Sequence, residues 1–258
     1  MSADHASGGS STISIIGLKG MPEIRAGDDL GLLIVRAAEE QGVGIRRGDI
    51  VVVTQKGVSK VEGRLVSLDD FEPSDFAEEI SRGTNRDPRH TEAILRESSR
   101  IIKMRGGVLV TETRHGFVCA NAGVDRSNVE DGLLALLPLD PDKSARGIRE
   151  RIKELSGVEV AVIITDTWGR PWRLGQVDFA IGVAGMSPFR DYRGETDPYG
   201  YTLGVTNIAL ADELAAAAEL AKGKLKGIPA VIIRGYEYDA GEGCAKDMVR
   251  PLAEDLFR

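Results

Sequence analysis

The groups most able to do chemistry gather in residues 160–176, which read VAVIITDTWGRPWRLGQ. The run Val160-Ala161-Val162-Ile163-Ile164 is apolar and rich in β-branched residues, the pattern of a strand covered on both faces. It is expected to stop at Thr165-Asp166-Thr167, leaving a carboxylate between hydroxyls on a rigid strand end. Oxygen donors held that way suit a hard cation such as Mg²⁺ or Mn²⁺. Arg170 and Arg173 follow closely, and guanidinium groups pair with phosphate and carboxylate oxygens, so an anionic substrate is expected. A plain alternative, an Asp that caps a helix after a strand, fits Asp166 taken alone.

Two further stretches offer partners for this one. Residues 108–128 read as a hairpin turning at Arg114-His115-Gly116, whose second strand ends in a loop bearing Asp125 and Asn128. Asp125 by itself reads equally well as an Asx turn. Two strand ends that each present an aspartate say more: Asp125 and Asp166 together can supply the carboxylates of one Mg²⁺ or Mn²⁺ site completed by water and nucleotide phosphates. Residues 54–64 place Lys56, Lys60 and Arg64 just past another buried strand, but without the GxxxxGK[ST] spacing of a phosphate-wrapping loop. Alone they read as a basic surface loop, and beside an acidic site they become phosphate partners. Of the histidines, His5 falls in the N-terminal segment, His90 in a helix break, and His115 is taken as structural. No Ser-His or Cys-His nucleophile pattern is present.

The elements that must carry these groups follow from periodicity. Strands are expected at 13–16, 50–53, 160–164, 177–185 and 229–233, and helices at 30–41, 145–156 and 208–222, with 67–105 largely helical and charged. The glycine- and proline-bearing loop 17–24 can bring backbone amides to a ligand, and an aromatic loop over 189–201 is a candidate for facing a ring-bearing substrate. Glu237 is a third acid placed at a strand end. A chain of 258 residues with a net charge of -7 can bury a full core and is not built for broad nucleic-acid binding. Cys119 and Cys244 are far apart and fit neither a disulfide scaffold nor a zinc site, which points to a reducing, cytoplasmic setting. Residues 1–11 are polar and Gly/Ser-rich, read as a disordered tail rather than a signal peptide, and no run is long and apolar enough to span a membrane.

Taken together, Met21-Pro22-Glu23-Ile24 with Gly27-Asp28-Asp29-Leu30, residues 56–64, Thr111-Glu112-Thr113-Arg114, residues 122–128, residues 164–176 and Asp197-Pro198-Tyr199-Gly200 closely resemble the F420 γ-glutamyl ligase family. The resemblance spans residues 12–258 as one ligase domain, in the form without the nitroreductase-like extension of some relatives. It implies an α+β fold of mixed sheets in two interlocked subdomains that dimerises. It also implies GTP-dependent addition of L-glutamate to the deazaflavin precursor coenzyme F420-0, with Mg²⁺ or Mn²⁺, two ions per site, and K⁺. By the same resemblance Asp125 and Asp166 ligate one metal and Thr167 a second, and Asp125, Asp166 and Lys60 carry the catalysis. Met21, Pro22, Glu23, Ile24, Lys60 and Asn128 contact the nucleotide, with Gln55 beside them. The implied mechanism is an acyl phosphate formed from the acceptor carboxylate and the γ-phosphate, then displaced by the glutamate amine. Two other readings of the residues stay open: a metal-dependent phosphatase or phosphotransferase using Asp166 as nucleophile, and a non-catalytic nucleotide- or deazaflavin-binding module.

Overall fold

The computed structural model describes residues 12–256; the tail expected over 1–11 lies outside the described residues. Its centre is a five-stranded sheet in the order β1 (Ser14–Gly17), β12 (Ala230–Arg234), β2 (Ile50–Thr54), β8 (Ala161–Arg170), β9 (Arg173–Ala184). Only β2 and β8 run parallel; the other neighbours are antiparallel. Both faces are covered, which is why the inner strands read as unbroken apolar runs. Val51, Val53, Val162 and Ile164 pack with helices α1 (Leu30–Glu40) and α5 (Pro141–Ser156). Ile50, Val52, Ala161 and Ile163 pack on the opposite face with α6 (Leu210–Lys222). The α1 N-cap, Asp29, accepts the Leu32 N–H at 2.9 Å, and its other oxygen takes Arg151 Nε at 2.6 Å, tying α1 to α5.

A second core lies between the first sheet's early and late strands in the sequence. Leu68, Phe71, Ile94, Leu109, Val124, Leu134 and Leu136 form it. Ile94 comes from α4 (Pro88–Glu97), Leu109 from β5 (Val108–Thr113), which pairs with β4 (Ser98–Arg105) and β6 (Val118–Ala120), and Leu134 from β7 (Leu133–Ala135), which pairs with β3 (Leu65–Ser67). Helix α3 (Asp75–Ser81) packs on α4, and a short ladder joins β10 (Arg190–Asp191) to β11 (Asn207–Ile208). The fold is thus mixed α+β with several sheets. No helix among the described residues is long and apolar enough to cross a membrane.

Four expectations are corrected. Residues 98–105 are a strand rather than a helix, because Gly106 and Gly107, both at positive φ, turn the chain into a hairpin with β5. Residues 54–64 are not a loop: they hold helix α2 (Gln55–Val61), whose N-cap Thr54 accepts the Gly57 N–H and whose Val58 is buried. Helix α5 begins at Pro141 on the cap Asp140 rather than at Ala145, with proline at the first-turn position where its missing N–H costs nothing. And β8 does not stop at Thr165; it pairs with β9 as far as Arg170, past the point where its other neighbour β2 ends.

The close passage of β9 beneath α5 can be tested. A Cβ on Gly182 would collide with the Pro141 backbone carbonyl. Gly182→Ala is therefore expected to destabilise the protein by about 1–3 kcal/mol, seen as a lower urea midpoint with an unchanged m-value.

Candidate active site

The parallel pairing of β2 and β8 aligns Thr54 with Thr165 and sets both strands' carboxyl ends at one edge of the sheet. A cleft of about 1020 Å³ opens there. Its walls are the loop after β1, the first turns of α2, the 120–128 turn, the β8–β9 hairpin, and the segment leaving α6. The residues to which the family resemblance gives a role line this one cleft: Met21, Pro22, Glu23, Ile24, Gln55, Lys60, Asp125, Asn128, Asp166 and Thr167. Other candidates lie elsewhere. Arg170 and Arg173 sit at the far end of the hairpin, where Arg170 Nη2 donates to the Leu174 carbonyl at 3.2 Å. Because β12 is antiparallel to β2, its carboxyl end and Glu237 fall at the opposite edge. Tyr199 and Tyr201 are exposed and form no part of the cleft wall. His115 Nε2 bonds the Pro138 carbonyl at 2.9 Å, a structural contact, and His90 lies buried in the first turn of α4 rather than in a break.

Helix α2 carries Lys56 and Lys60 one turn apart, on the same side of the helix. Lys56 Nζ meets Asp125 Oδ2 at 2.7 Å and Ser127 Oγ at 2.7 Å. Asp125 also accepts the Ser127 N–H at 2.8 Å. Burial alone would raise the Asp125 carboxyl, but Lys56 and Ser127 outweigh it and hold the group below its usual range. Lys60 is paired with Glu23 of the opposite loop. Gln55 is buried, with Nε2 donating to Ser59 Oγ at 2.6 Å and to the Leu136 carbonyl at 2.9 Å; its Oε1 has no hydrogen-bond partner.

Asp166 has the opposite electrostatics. Burial, with the negative charges of Asp125 and Asp178 adding to it against the Thr167 N–H and Lys56, pushes its carboxyl up to about 7. Two acids in one cleft thus have unlike ionisation. A cation between them would relieve that imbalance, so Asp125 and Asp166 are the residues that could hold a metal. Among the described residues no three His, Cys, Asp or Glu side chains form a cage. Mg²⁺ or Mn²⁺ commonly takes one or two carboxylates and completes its shell with water and substrate phosphates, and Asp125 and Asp166 are the carboxylates such an ion would use here.

Sequence reasoning missed the wall opposite α2. Asp178, Glu219, Lys222 and Lys224 all line the cleft. Asp178 faces Thr167 across the hairpin and forms a buried pair with Lys222. Burial pushes its carboxyl up, yet Lys222, Thr167 and Lys224 together bring it below its usual range. One signal was available: Lys222 continues the buried α6 stripe of Leu214 and Ala218, where a solvated lysine does not belong. The cleft thus sets four lysines, each paired with a carboxylate, among five acids: Glu23, Asp125, Asp166, Asp178 and Glu219. It holds no thiolate nucleophile, since burial pushes the Cys119 thiol up to about 12.

Comparison with known proteins identifies the family of the chain. The family model described as F420-0:gamma-glutamyl ligase matches residues 19–235. Proteins named coenzyme F420:L-glutamate ligase are similar along almost their whole length. That of Methanothermobacter thermautotrophicus is 51% identical over 95% of this chain and 99% of its own. That of Methanopyrus kandleri is 47% identical over 92% and 94%, and that of Methanocaldococcus jannaschii 42% identical over 95% and 97%. The chain belongs to the F420-0:gamma-glutamyl ligase family.

The raised Asp166 carboxyl carries a stability consequence. Its value of about 7 against 3.8 unperturbed means that the unfolded chain ionises first. Stability is therefore lost as pH rises from 4 to 7, by at most about 4 kcal/mol. Asp166→Asn removes this penalty, so the metal- and nucleotide-free variant is expected to melt higher than wild type at pH 8 and equally at pH 4. Calorimetry at the two pH values checks it; a variant less stable at pH 8 would contradict the electrostatic account.

Proposed function

We propose that this chain is a GTP-dependent ligase that joins L-glutamate through γ-glutamyl amide bonds to the deazaflavin precursor coenzyme F420-0, in coenzyme F420 biosynthesis. What carries the reading is convergence: residues scattered over positions 21–167 that the family resemblance singles out all line one cleft. In the proposed reaction the acceptor carboxylate attacks the γ-phosphorus of GTP, the bond to GDP breaks, and an acyl phosphate forms. The glutamate amine then attacks the carbonyl carbon, phosphate leaves, and the amine proton is lost.

The protein's part is positioning and charge compensation. Asp125 and Asp166 would hold one Mg²⁺ or Mn²⁺, and Thr167 a second. When bound, these ions supply positive charge to phosphoryl oxygens, with K⁺ as a further activator. Lys60, swinging from Glu23, would take nucleotide phosphate, with Asn128 and the Met21-Pro22-Glu23-Ile24 loop fixing the nucleotide and Gln55 backing them from α2. Lys56 holds Asp125 ionised and in place through its 2.7 Å pair. No side-chain nucleophile is needed.

We further propose that the chain works as a homodimer in a reducing, cytoplasmic setting, in keeping with its two free cysteines. The exposed apolar residues Trp172 and Leu174 at the hairpin tip suit a subunit contact. Light scattering is expected to give twice the chain's 27.7 kDa; a monomer mass at working concentration would remove this part.

The deciding experiment is mass spectrometry of coenzyme F420-0 incubated with the protein, GTP, Mn²⁺ and L-glutamate, each omitted in turn. A glutamyl increment requiring all four, with matching GDP, is expected. GTP hydrolysis or a phosphorylated Asp166 without the increment would favour the phosphotransferase, and GTP binding without turnover the binding module. Asp166→Asn is expected to lower kcat at least about a hundredfold, since it removes a charge acting on the transferred group.

A further inference from the structure

The buried pair Asp178–Lys222 has no part in the mechanism above, yet it is the most elaborately bonded group in the cleft wall. Lys222 Nζ lies 2.5 Å from Asp178 Oδ2, with side chains only 1% and 2% exposed. The same Nζ donates to Thr165 Oγ1 at 2.6 Å. The Thr165 hydroxyl donates to Asp178 Oδ2 at 3.0 Å, and the Thr167 hydroxyl donates to Oδ1. Half-exposed Lys224 reaches Thr167 Oγ1 at 2.5 Å. Stability does not account for such a pair, because apolar residues of similar volume usually stabilise a core as well or better.

What the pair does is dictate direction. A threonine hydroxyl has one proton and two lone pairs. Both threonines flanking Asp166 give that proton to Asp178, so each has only lone pairs left to offer. The Thr165 oxygen is taken by buried Lys222. The Thr167 oxygen lines the cleft and accepts from half-exposed Lys224, whose ammonium also lies 3.4 Å from Glu219 Oε1 and 3.6 Å from Asp178 Oδ1. We propose that Asp178, charge-balanced by Lys222, is a positioning residue that fixes Thr167 as an acceptor, so that this wall of the cleft receives a divalent cation rather than a phosphate oxygen. The proposal rests on the metal-using ligase reading given above.

Asp178→Asn alone would strand a buried ammonium, so the informative variant is Asp178→Asn/Lys222→Met, which removes both charges at similar volume. Three readouts are taken: melting temperature without ligands, Mn²⁺ affinity from the EPR signal of the free ion in the presence of GDP, and ligation kinetics. The double variant is expected to melt at or above wild type, bind Mn²⁺ about 10–100-fold more weakly, and lose kcat with little change in KM for glutamate. In a Thr167→Val background the same double change is expected to add no further loss of Mn²⁺ affinity, because both act through one oxygen. Wild-type Mn²⁺ affinity in the double variant, or additive losses in the combined one, would overturn the proposal. So would a double variant that fails to fold, since the pair would then be there for stability. A wild-type protein that adds no glutamate sinks the ligase reading, while the Mn²⁺ cycle still judges the role of Asp178.

Discussion

The site depends on one pairing, the parallel alignment of β2 with β8. Parallel neighbours bring their carboxyl ends to the same edge, and ligand clefts of open sheets form beyond such ends. Here that edge receives α2 with its lysines from one strand and Thr165-Asp166-Thr167 from the other. The antiparallel strands on either side send their carboxyl ends away, which removes Glu237 from the site and leaves Arg234 to clamp Asp49 instead, at 2.7 and 2.8 Å. Had β2 and β8 been antiparallel, the lysines and Asp166 would stand at opposite edges of the sheet.

The second constraint is the overrun of β8 past β2. From Asp166 onward β8 has only β9 as a partner, and strand alternation then works on both sides of the ribbon. Asp166 turns towards Asp125 and Cys119, whose ionisation it influences. Thr165 and Thr167 turn the other way, to Asp178 and Lys222. One strand therefore faces a repelling pair of acids on one side and a compensated ion pair on the other, and the Asp178 charge of that pair still adds to the rise at Asp166. The repulsion is kept where a cation would be useful, at a cost in the stability of the free protein.

Much of this was legible in the sequence, for identifiable reasons. Strands buried on both faces, such as Ile50-Val51-Val52-Val53, announce themselves because nothing polar can interrupt them. Asp125 and Asp166 stood out as acids at the ends of apolar runs, and the coarse α+β class followed from the mixture of elements. Helix α2 was hidden because Gly57, Val58 and Val61 are weak helix formers; the Thr54 cap was a local signal that sequence reasoning passed over, and the burial of Val58 is a tertiary fact. Asp178 and Lys222 were hidden more deeply. A charged residue reads as solvated until its partner is known, and these partners are 44 positions apart.

The sheet's edge has a consequence for synthesis of the chain. Strand β1 has a single neighbour, β12, and β2 lacks one of its two neighbours until β12 arrives. Ser14 pairs with Arg234, so nearly the whole chain must leave the ribosome before the first strand made can be enclosed. The second core, by contrast, is complete once residue 136 has emerged. Until β12 has emerged, β2 keeps an open, apolar strand edge, the window in which the nascent chain most needs protection from its neighbours.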